Sequence, residues 1–154
     1  MRRKLLLLST AVCAGLPLSA LSDDKPVETY QPWAAKNKTI QEPLGGLKGD
    51  AARGRKLAID GGKGNCLACH IMPVPEEEFH GEIGPPLTKI GKRFDEAKLR
   101  MRIVNIQTII PDSLMPPFYK NPAELNRVAE KYKGRTILTA QEVEDVVAYL
   151  MTLK

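Results

Sequence analysis

Three stretches of the 154-residue chain carry apolar residues at helical spacing, and the segments between them do not. The first, Ala51 to Asp60, follows Asp50, a good N-cap, and stops at Gly61-Gly62. The second, Phe94 to Thr108, has Asp95 and Glu96 at its start. It sets Ala97, Met101 and Val104 on one face beside Leu99, Ile103 and Ile106, which predicts extensive burial. The third opens with Thr139-Ala140-Gln141-Glu142, a capping box, and continues with Val143, Val146, Val147, Leu150 and Met151 on a single stripe. Gly54 lowers helix propensity inside the first helix by about 1 kcal/mol, which suggests close passage of another element. The last helix, with Tyr149 packing on Leu57, is the predicted partner at that crossing. Asn121 to Gly134 predicts a further, polar helix ending at glycine. Residues 23–49 hold three prolines and three glycines without helical period. They read as an arm laid on the surface or on a partner, or as a disordered leader. Tyr30, Trp33, Ile40 and Leu44 are apolar enough to dock it.

Cys66-Leu67-Ala68-Cys69-His70 carries the chemistry. Cysteines three apart share one face of a helical turn, so both thiols can add to the vinyl groups along one edge of a porphyrin, and the next residue falls over the iron. A histidine there is a proximal axial ligand, and the unit is the attachment signature of haem c. A zinc half-site needs two further Cys or His ligands, and a dithiol redox pair needs a βαβ setting. Neither is present. The loop from Ile71 to Gly84, with Glu76-Glu77-Glu78, reads as solvated along one side. In Gly84-Pro85-Pro86-Leu87, the stiff Pro85 carbonyl is suited to accept from the histidine nitrogen that faces away from the metal, although the same residues also suit an ordinary proline-rich turn.

The start of the chain sets the compartment. Basic Arg2, Arg3 and Lys4, an apolar run to Leu18, and Ala20-x-Ser22 describe a secretory signal over residues 1–22, cut after Ser22. Gly15 and Pro17 interrupt the run, which is short for a membrane span, so a retained anchor is the weaker reading and the mature form has no span. Export to the periplasm follows. Cys13 leaves with the signal, so only Cys66 and Cys69 remain, both accounted for by haem, with no structural disulfide. The mature chain carries 20 Lys and Arg against 18 Asp and Glu, a net charge near +2. No basic stripe or aromatic interleaving argues for nucleic acid.

For the distal position, Met115 is the first choice. Pro116 forces it to be extended, and a stiff loop holds a weak thioether donor at fixed distance. Met72 follows His70 too closely to reach the opposite face, and Met101 and Met151 lie on apolar stripes where methionine fills core. His80 is the rival, the only other histidine, in a loop beside three glutamates. An open position is the third option. With His and Met both bound, the iron has no readily open site, which makes one-electron transfer the simplest function. Residues 50–154, about 105 in number, form a small core that a haem completes. The predicted fold is all-α, class I cytochrome c, wrapped around one haem, with an exposed haem edge and an extended N-terminal arm.

The combination of Gly49-Asp50-Ala51-Ala52-Arg53-Gly54-Arg55, Gly64-Asn65-Cys66-Leu67-Ala68-Cys69-His70, Pro73-Val74-Pro75-Glu76-Glu77 with Phe79-His80-Gly81, Ile83-Gly84-Pro85-Pro86-Leu87 and Ile110 to Tyr119 resembles the SoxX family of sulfur-oxidising cytochromes. The haem motif alone is generic; the loop after it and Met115-Pro116-Pro117-Phe118-Tyr119 are far more specific. The resemblance implies a subunit paired with a SoxA-type cytochrome in a thiosulfate-oxidising complex, an L-cysteine S-thiosulfotransferase that joins thiosulfate to a cysteine of the carrier SoxYZ. This chain would pass the electrons to a soluble cytochrome c. It implies Cys66 and Cys69 as tethers, His70 and Met115 as axial ligands and Pro85 as orienter. No residue looks like a substrate nucleophile, so the chain is not catalytic alone. The alternatives are a free-standing periplasmic shuttle, which predicts a monomer with a small lysine-ringed docking patch, and a haem enzyme or gas sensor with a labile Met115.

Overall fold

The computed structural model describes residues 28–154. The predicted signal and the first residues of the arm lie outside them. Four α-helices carry the fold: α1 (Ala51–Ile59), α2 (Ile90–Arg93), α3 (Glu96–Asn105) and α4 (Ala140–Thr152). Short 3-10 turns fill the connections, and the described residues contain no strand beyond an isolated Lys36–Thr39 bridge. Among the described residues no helix is long and apolar enough to cross a membrane.

The helix starts are those the sequence encodes. Asp50 accepts from the Arg53 N–H at 2.8 Å, Asp95 accepts from the Lys98 N–H at 2.9 Å, and Thr139 and Glu142 complete a reciprocal capping box. Val143, Val146, Val147 and Leu150 of α4 are all buried, each contributing about 1.5–3 kcal/mol by leaving water. The helices α1 and α4 make the most extensive packing in the molecule, and they cross at Gly54. A Cβ there would lie inside van der Waals contact of the Asp145 carbonyl, a backbone group with no rotamer to move. Tyr149 is buried and Leu57 half-buried at this junction. The second predicted helix is shorter than its pattern: Phe94 is extended, and the helix gives way at Asn105 to a 3-10 turn, Ile106–Thr108.

The predicted helix over Asn121 to Gly134 does not form. Two isolated 3-10 turns, Pro122–Glu124 and Glu130–Tyr132, occupy the segment, separated by extended backbone at Leu125. Leu125, Val128 and Tyr132 stay half-exposed, and a short helix with no buried face does not repay its nucleation.

The described part of the arm docks. Asn37 and Lys38, with φ of 52° and 61°, make a tight reversal between Lys36 and Thr39. It delivers Ile40 and Leu44 into the core, at 2% exposure each. The Ile40 N–H donates to the Ala97 carbonyl at 3.1 Å, and Tyr30 stacks on Tyr119 with centroids 5.0 Å apart. Beneath the arm, Arg100 and Glu144 form a fully buried ion pair, 2.8 Å from Nε to Oε1. Both partners also hold the arm: Arg100 Nη1 donates to the Ile40 carbonyl at 2.9 Å, and Glu144 Oε1 accepts from the Leu44 N–H at 2.9 Å.

Candidate haem site

The thiols and the histidine sit on one tight turn. Residues Cys66–Ala68 form a 3-10 turn entered through Asn65 in the left-handed conformation. The N–H groups of Cys69 and His70 both donate to the Cys66 carbonyl, at 3.1 and 2.9 Å. This folds the five-residue motif into a compact knuckle. Burial pushes the Cys66 thiol up to about 11, so the free thiol is neutral in the folded chain. Both cysteines are free of disulfides.

His70 is held from two sides. Its Nδ1–H donates to the Pro85 carbonyl at 2.7 Å, the tautomer that leaves the Nε2 lone pair unused. On the other side, Gly84 lies so close that a Cβ there would fall into the imidazole ring. The Gly84 N–H is itself fixed to the Cys69 carbonyl at 2.7 Å. Gly-Pro-Pro therefore supplies a flat cradle and a rigid acceptor in adjacent residues, and the glycine is the part that sequence reasoning missed.

Met115 reaches the same cavity from the other end of the chain's path. Its loop is hung on α3 by the N–H groups of Phe118 and Tyr119, which donate to the carbonyls of Ile103 and Val104, both at 3.2 Å. Ser113 Oγ accepts from the Met115 N–H at 3.2 Å. The cavity measures about 670 Å³, and Cys66, Cys69, His70, Pro85 and Met115 all line it. The rest of its wall is mainly apolar, drawn from α2, α3 and α4 through residues such as Ile90, Leu99, Ile103, Val146 and Leu150. Among the described residues no cluster of His, Cys, Asp or Glu could hold a metal ion by itself.

The competing ligands are placed elsewhere. Met72 and Met101 are buried in the protein core, and neither they nor Met151 border the cavity. His80 is also off its wall; Nδ1 accepts from the Met72 N–H at 3.2 Å, which uses the ring to pin the loop. Of the residues singled out from the sequence as haem ligands, tethers or orienter, the structure brings together all five first choices and none of the rivals.

A large apolar cleft bounded by two thiols, a preset imidazole and a thioether fits a planar iron macrocycle far better than a small polar ligand. The family model for cytochrome c matches residues 51–154. The chain belongs to the cytochrome c family. Its haem c is single and covalent, tethered through Cys66 and Cys69, and its helical architecture is the class I cytochrome c fold. A chain of the crystal structure of SoxXA from P. pantotrophus is 35% identical to this cytochrome, with a TM-score of 0.72. The alignment covers 79% of this chain and 94% of that one. The likeness extends the SoxX resemblance from the motifs to the greater part of the chain. No relative among curated proteins matches.

Proposed function

We propose that this cytochrome is the electron-transfer subunit of a periplasmic SoxAX-type complex, with residues 1–22 as its export signal, residues 23–49 as an arm and residues 50–154 as the haem domain. His70 and Met115 are the axial ligands, and Pro85 sets the imidazole. The haem supplies, when bound, a one-electron iron couple whose potential an imidazole and thioether pair raises. The chain's residues do the rest. Pro85 and Gly84 fix the ring of His70, the loop hung on α3 fixes the thioether of Met115, and Leu99, Ile103 and Val146 keep water from the metal. Filling both axial positions leaves no vacancy for substrate, so the chain relays electrons and catalyses nothing alone.

The observation that carries this reading is the convergence of His70 and Met115, 45 residues apart in sequence, on one apolar cleft within a chain 35% identical to one from SoxXA. A SoxA-type cytochrome is the implied partner. Joining thiosulfate to a SoxYZ cysteine releases two electrons, so a one-electron relay acts twice per product before a soluble cytochrome c takes the charge onward. The surface supports a partner. Phe79 is 86% exposed, lies off the cleft that the haem fills, and offers a partner an apolar anchor. The test is purification of the native protein from its own cells. A second haem-bearing subunit in stoichiometric amount is expected, whereas a monomer carrying one haem would return the chain to the class of free shuttles.

A further inference from the structure

The cleft wall has a charge pattern that tethers and axial ligands do not explain. It contains no Asp or Glu, yet three cations line it: Lys63, Arg93 and Arg102. A haem brings two carboxylates, so the wall is complementary to it in sign. The three cations are not equivalent. Lys63 is already paired with Glu142 at 2.8 Å. Arg93 is exposed and spends an Nη2 donor on the Pro86 carbonyl at 2.7 Å.

Arg102 differs from both. It is half-buried on α3, and its guanidinium carbon lies over the Phe94 ring, 3.8 Å from the ring centroid. Nη1 donates to the Lys98 carbonyl at 2.9 Å. Ring and carbonyl together hold the guanidinium in place, and further N–H donors remain. The acids at the start of α3 are engaged elsewhere, Asp95 with Lys98 at 3.3 Å and Glu96 with Arg100 at 3.8 Å. Among the described residues no carboxylate pairs with Arg102. Burial holds its pKa below the usual arginine value, with the more distant Asp95 opposing that shift. A partly desolvated cation without a counter-ion is costly, and a planar fork is the geometry that answers a carboxylate.

We propose that Arg102, braced on Phe94, binds a haem carboxylate and so fixes the polar edge of the macrocycle in the cleft. The inference rests on the covalent haem c, and it is independent of which residue takes the distal position. It is tested on the holoprotein carrying haem labelled with ¹³C at its carboxylates, by redox infrared difference spectra and midpoint potential. In Arg102→Gln the labelled carboxylate stretch is expected to move and the potential to fall, because a positive charge at the haem edge is lost. Arg102→Lys keeps the charge without the fork, so the stretch should still move while the potential recovers in part. A stretch unchanged in both variants overturns the proposal, as does one that moves only in Arg93→Gln. Should Arg102→Gln fail to accumulate, Arg102→Lys decides by the same band. Misassignment of Met115 would show in the visible spectrum and leave this band readable, so the two readings fail separately.

Discussion

Met115 concentrates the distal chemistry in one sulfur atom held by its neighbours. Pro116 restricts its backbone, and the hydrogen bonds of Phe118 and Tyr119 to α3 fix where the loop can go. Met115→Leu keeps the volume and removes the donor. The midpoint potential is expected to fall, the visible spectrum to change, and the reduced protein to bind carbon monoxide, which the parent binds poorly. An unchanged spectrum would remove Met115 from the iron. Asp145 offers a second single-residue test, on the side of α4 that meets α1. Burial alone would raise its carboxyl, but hydrogen bonds from Arg53, the Asp50 N–H and Gln141 outweigh that and hold it below the ordinary range. A depressed carboxyl stabilises the fold fully above the unfolded value, about 3.9, and the contribution is lost as pH falls through the lower folded value. Thermal melts should therefore show the parent losing stability below about pH 4, with Asp145→Asn less stable at neutral pH and flatter in acid. Parallel curves would exclude the linkage.

Among the elements, the arm is the one whose order depends on a polar device. Arg100 and Glu144 are buried together, and each also bonds the arm backbone. Removing one partner strands a buried charge, at about 3–5 kcal/mol, whereas replacing both with apolar groups is often close to neutral. Arg100→Met alone should cost in that range by denaturant unfolding. Arg100→Met with Glu144→Leu should recover much of it and loosen the arm, visible as faster amide exchange at Ile40 and Leu44. Additive losses would show that the pair is not acting as a unit. The same scale shows what the sequence could carry. The helices α1, α3 and α4 were legible, with the caps of α1 and α4, because an Asp or Thr N-cap and a stripe of Val and Leu are local facts. So was the crossing at Gly54, a glycine too costly to keep without a neighbour. The haem knuckle was legible for the same reason, its five residues being contiguous. Order in the arm was not: it depends on Arg100 and Glu144, 60 and 100 residues further along than Ile40 and Leu44 respectively. The segment after Asn121 misled for the converse reason, since a polar run ending at glycine permits a helix locally but has no buried face to repay its nucleation.

For the molecule as a whole, the cofactor stands where larger domains have side chains. A cleft of about 670 Å³ lies between α2, α3, α4 and the methionine loop, so much of the apolar surface of these elements has the haem as its packing partner. The outer rim then decides what the protein meets. Phe79, in the loop between α1 and α2, is the most exposed large apolar side chain described, and it does not border the cleft. It neither supports the core nor is a proposed ligand. If the second subunit covers it, Phe79→Ser should leave the visible spectrum intact and weaken the complex. Loss of well-packed apolar anchors at about 2 kcal/mol corresponds to roughly 30-fold in dissociation constant. Titration of the purified partner by calorimetry measures it. Unchanged affinity in a variant with an unchanged spectrum would place the interface on another face.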